Sequence, residues 1–90
     1  MNNSSIVIKS HRYAKKSDTP LYADRVANEP MSLLGLGNWV GVLEDLDGWY
    51  HVLCIQGEGW VKMEDVEARS PFNLHVHWEP GKPIEYVSAA

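Results

Sequence analysis

The sequence predicts an all-β chain, a small antiparallel barrel followed by a C-terminal β-hairpin. Residues 47–60, DGWYHVLCIQGEGW, set two turn signals on either side of a strand that is almost wholly aromatic, β-branched or otherwise apolar. The runs WVGVLE at 39–44 and WVKM at 60–63 flank that stretch, so three strands with hairpin-length connections fit within about 25 residues. Nowhere does the apolar pattern sustain a helical period over the length of an ordinary helix.

Taken in order, residues 1–18 read as a basic, solvated N-terminal arm in which Ile6 to Lys9 can add a short edge strand. Residues 19–67 make the barrel. Its first strand is expected at 20–23, because the residue before Pro20 is held extended, and 24–30 is loop. MSLLGL supplies a strand near 33–36 before Gly37-Asn38 turns the chain. Strands at 39–44, 49–55 and 60–62 follow. In the first of these, Val40, Val42 and Glu44 share one face and Trp39, Gly41 and Leu43 the other, so neither face is cleanly polar. The next strand is equally ambiguous, with Tyr50, Val52 and Cys54 set against Trp49, His51, Leu53 and Ile55. MEDV at 63–66 has one apolar anchor and fits a turn of 3₁₀ helix. Residues 68–90 form an extension packed on the barrel, a hairpin with arms at 73–78 and 83–87 around Pro80-Gly81-Lys82-Pro83. The expected core is Leu21, Leu34, Val40, Val42, Val52, Cys54, Val61 and Val66.

Ninety residues allow one compact core. No apolar run approaches the roughly 18 residues that span a bilayer, so no membrane partner is expected. Ile6 to Ile8 is too short for the hydrophobic segment of a signal peptide, and the lone Cys54 cannot close an internal disulfide. Both features suit a reducing, cytoplasmic location. Residues 1–25 carry a net charge of +3 and residues 26–90 a net −7, giving −4 for the chain. Phosphate binding needs a basic surface, and an acidic body therefore argues against nucleic acid as a partner.

LYADR at 21–25, DGWYHV at 47–52, GEGWV at 57–61 and MEDV at 63–66 follow in order and spacing a Src homology 3 (SH3) domain, and the chain most resembles the bacterial SH3 branch. That resemblance covers about residues 19–67 and implies an SH3-like five-stranded barrel whose common role is binding. In the branch that reads proline-rich peptides the groove is lined by tyrosines, a tryptophan and a proline. Here Tyr22 and Trp49 match that lining, whereas Asp24 stands at the second tyrosine, and Lys62 or Met63 and Asp65 replace the proline and the turn tyrosine. A polyproline ligand is accordingly not expected.

Other chemistry is thinly represented. His75-x-His77 with Glu79 has the spacing of a metal-binding strand, although two strand histidines are also ordinary polar residues on a solvated face. Cys54 lies where core packing explains it, and the carboxylates cluster in turns, so neither an enzyme nor a cofactor is expected. What stands out is aromatic: four tryptophans exceed what so small a core encloses. The expected role is a non-enzymatic interaction module or accessory adaptor subunit. It would bind a protein or peptide with a basic segment through Tyr22, Trp49 and Trp60, rimmed by Glu44, Asp45, Asp47, Glu64 and Asp65. The alternative is a cell-wall peptide-binding module, or a fragment of a cell-wall-processing or metal-dependent enzyme.

Overall fold

A computed structural model describes residues 6–89 and contains nine strands: β1 Ser10–Ala14, β2 Thr19–Leu21, β3 Ser32–Leu34, β4 Trp39–Leu46, β5 Trp49–Cys54, β6 Gly57–Lys62, β7 Val66–Glu67, β8 Leu74–His77 and β9 Glu85–Ser88. A 3₁₀ turn at Met63–Asp65 links β6 to β7. Five strands form one strongly curled antiparallel sheet in the order β6-β5-β4-β1-β7, an SH3-like barrel, while β2–β3 and β8–β9 are separate hairpins. Among the described residues no helix is long and apolar enough to cross a membrane.

The meander closes as its residues dictate. Leu46 pairs with Trp49 across Asp47 and Gly48, whose φ of 50° and 85° give the left-handed pair that a two-residue hairpin with matching twist requires. The second turn sits earlier than the glycines suggested. Cys54 pairs with Gly57 across Ile55-Gln56, so Gly57, Glu58 and Gly59 belong to β6. Gly59 serves close approach instead: a Cβ there would lie 2.7 Å from the Tyr22 carbonyl oxygen. At that point Tyr22 and Trp60 exchange backbone hydrogen bonds of 2.8 and 2.7 Å, and this bridge ties the β2–β3 hairpin to the outer edge of β6.

The interior is aliphatic. All eight expected core residues are buried, joined by Ala14 and flanked by Tyr50. Each such aliphatic side chain contributes about 1.5–3 kcal/mol when taken from water. Three elements depart from expectation for identifiable reasons. Residues 10–14, read as part of a solvated basic arm, form β1, an inner strand between β4 and β7 with Tyr13 and Ala14 buried; the charges around it masked an alternation only two residues deep. In β4 the register shifts between Val42 and Glu44, and the extra residue, Leu43, moves Glu44 off the Val40–Val42 face to lie opposite His51 outside. Trp39, absent from the expected core, is at 1% exposure the largest fully buried side chain.

Trp39 belongs to a second apolar cluster with Tyr13 and Val76, against which Ile8, Trp78 and Ile84 pack. The β8–β9 hairpin thus roofs the outside of β1 and β4. Both faces of β4 are covered near its start, which is why its alternation had no polar side. Gly41 makes the arrangement possible, since a Cβ at this position would lie 2.7 Å from the Trp39 ring and from Ile8 Cδ1. The Trp39 backbone N–H donates to the Tyr86 hydroxyl at 2.6 Å, and its indole Nε1–H donates to His11 Nδ1 at 2.8 Å.

Candidate partner-binding surface

The curled sheet presents one outer face on β4, β5 and β6, and pairing register decides what stands there. Trp49 lies opposite Lys62, His51 opposite Trp60 and Leu53 opposite Glu58, and Glu44 and Leu46 extend the first two rows onto β4. The Tyr22–Trp60 bridge brings the β2–β3 hairpin against this face. Tyr22 meets Trp49 edge to face, with centroids 5.6 Å apart and planes at 81°. Trp60 stacks on His51 at 4.8 Å and 20°. Tyr22, Trp49, His51 and Trp60 are all half-buried, so a contiguous aromatic strip is left partly open to solvent.

Charges of the chain itself hold this strip. The Arg25 guanidinium stands over the Trp60 ring at 5.4 Å and the Lys62 ammonium over Trp49 at 5.8 Å. Arg25 also lies 3.9 Å from Asp47, a loose and exposed ion pair of little consequence for stability. His51 sits between two carboxylates, with Nε2 3.0 Å from Glu58 and Nδ1 3.9 Å from Glu44.

The structure therefore brings Tyr22, Trp49 and Trp60 together and sets Glu44 and Asp47 beside them. Asp45 is exposed on β4 opposite Tyr50, and Glu64 is exposed on the 3₁₀ turn. Asp65 is turned inward: at 7% exposure it faces the Lys16 ammonium at 3.3 Å and contributes to no open rim. Sequence reading missed Arg25, His51 and Glu58. His51 was recoverable from its two-residue spacing to Trp49 on the same face, whereas Arg25 arrives through a loop whose path no local pattern specifies.

The other singled-out groups lie elsewhere. His75 and His77 are exposed on β8, and His77 Nε2 is 2.9 Å from Glu79, whose carboxyl is held below its usual range by that hydrogen bond and by Lys82. Among the described residues no three His, Cys, Asp or Glu side chains converge as metal ligands would. Burial pushes the Cys54 thiol up, and its Sγ lies 3.3 Å from the Gly57 carbonyl oxygen, as suits a packed side chain. Compared with models of protein families, with curated protein sequences and with solved structures, the chain matches none.

Proposed function

We propose that this chain is a non-enzymatic interaction module of the bacterial SH3 kind, a small adaptor acting in the cytoplasm, whose Tyr22–Trp49–Trp60 strip docks a protein segment carrying basic residues. The observation that carries the reading is the strip itself: three large aromatic rings, half-exposed and fixed by pairing register, on the outside of a rigid sheet. Tyrosine and tryptophan held this way bury much area at small entropic cost, which is what interface anchors do. Lys62 stands over Trp49, and Trp60 is both stacked on His51 and covered by Arg25, so the affinity rests on burial of the remaining ring surface more than on new cation–π contacts. Glu44, Asp47 and Glu58 around the strip outnumber those two cations and would speed encounter with a basic segment.

The test is affinity capture from the native host with the wild-type chain and the Trp49→Ala variant, beside thermal melts of both. A partner retained by the wild type and weakened by about 2 kcal/mol or more in a variant that still melts cooperatively supports the reading. Equal retention by both ends it. So does a variant with no folded state, since Trp49 would then be a structural residue.

A further inference from the structure

Beyond His51 the same outer face falls into a groove of about 400 Å³ whose floor is Leu43 and Leu53 and whose wall is Ile6, Val7 and Lys9, with Glu44 and Glu58 at its mouth. It continues past Leu53 and Ile6 into a second depression of about 360 Å³, bordered by Ile55, Trp78 and the loop between β8 and β9. The apolar walls are open to water: Val7 is 68% exposed and Ile55 66%. A continuous apolar trough of this kind on a small domain marks an interaction surface. It is distinct from the aromatic strip yet begins where the strip ends, because His51 stacks on Trp60 and also lines the groove.

Resting on the reading of the chain as an interaction module, we infer that this trough takes an extended segment of the protein partner, with a lysine or arginine at the Glu44–Glu58 mouth followed by apolar side chains seated over Leu53. Charge complementarity selects this occupant. Both carboxylates are more than half exposed, and their nearest partner is His51, which is an ion-pair partner only when protonated. They can therefore receive a cation without first giving up a permanent one. Lys9 also lines the groove, so its charged lining is two carboxylates against one ammonium, and past them Leu43, Leu53 and Ile6 give an aliphatic surface that favours apolar side chains. The bulge at Leu43 brings Glu44 to the same outer side, so that both residues line the groove.

Short random peptides displayed on phage would be selected on the wild-type chain, and the enriched sequences titrated by fluorescence anisotropy against Leu53→Glu, Ile55→Glu, Glu44→Gln/Glu58→Gln and Trp49→Ala. The expected peptides carry a basic residue next to apolar ones. Leu53→Glu and Ile55→Glu should each weaken them roughly tenfold or more, and the double glutamine variant several-fold at low ionic strength. Ile55 lies in an exposed turn, so its variant reads the groove even if Leu53→Glu disturbs the sheet. Peptides weakened by Trp49→Ala but indifferent to both groove variants would overturn this inference while leaving the strip as the docking surface. Loss in the groove variants with none in Trp49→Ala would support the groove and remove the strip. No enrichment of peptides ends both readings. A concentration-dependent dimer abolished by Ile55→Glu would seat a second copy in the trough and overturn the proposed occupant.

Discussion

The two apolar clusters of this domain share a strand and little else. The barrel interior is built from aliphatic side chains and the Cys54 thiol, with the buried Thr19 hydroxyl donating to the nearby Lys16 carbonyl. The cluster beneath the β8–β9 hairpin has three buried residues, two of them Tyr13 and Trp39, and it is fastened at its edges by Tyr86 and His11. Aliphatic packing tolerates small rearrangements because any apolar neighbour will serve. Large rings with polar tips need their partners in place, since a buried donor without an acceptor costs about 1–3 kcal/mol. The hairpin should accordingly open before the barrel does, as a separate low-stability unit.

The comparison is broken most severely by Leu34→Ala. Removing this fully buried side chain should cost about 2–5 kcal/mol and unfold barrel and hairpin together, seen as one shifted transition in urea. Two transitions in that titration would mean that the clusters are independent. Tyr86→Phe is the complementary and smaller change. It takes the acceptor from the Trp39 N–H and should cost about 1–3 kcal/mol, with amide exchange accelerated at Trp39 and in β8 and β9, and little altered in the rest of β4 and in β5. Uniform acceleration across the sheet would contradict a separable hairpin.

The smallest effect is expected from acid. Burial, helped by the charges of Arg12 and His75, holds the His11 imidazole below its ordinary 6.5, and in its neutral form Nδ1 accepts the Trp39 indole N–H. The unfolded chain binds this proton more readily than the folded one. The stabilisation from neutral His11 is therefore complete above pH 6.5 and is lost as pH falls from 6.5 toward the depressed folded value. Thermal melts across that range should show a slope that shrinks in His11→Gln, which keeps an acceptor without titrating there. An unchanged slope would assign the acid sensitivity to other groups.

These differences also explain what the sequence disclosed. Val40, Val42, Val52, Cys54 and Val61 alternate within short strands, so their shared interior was legible from spacing alone. Trp39 was not, because its cover comes from Val76 and Tyr86, and the bond to Tyr86 spans 47 residues of chain. β1 escaped notice for a related reason: Ser10, His11 and Arg12 read as solvated, and burial begins only at Tyr13 and Ala14, once the neighbouring strands and the hairpin are set against them. At the surface, alternation on β5 and β6 fixes how Trp49, His51 and Trp60 line up, and both the strip and the groove mouth follow from it. The inward turn of Asp65 and the reach of Arg25 depend on loops, where neighbouring residues in sequence say little about neighbours in space.

The unpaired Leu43 has a consequence for how such a domain can change over time. Upstream of it, each position of β4 is constrained by packing on one side or the other. Downstream, the extra residue has reset the phase, so that Glu44 and Leu46 look outward beside the aromatic strip. Substitution after the bulge can alter what the molecule shows to its surroundings while the buried half of the same strand stays as it is. Deleting that one residue would leave Glu44 opposite His51, because pairing with β5 holds the outward half in phase; what the extra residue adds is one apolar side chain on the floor of the groove.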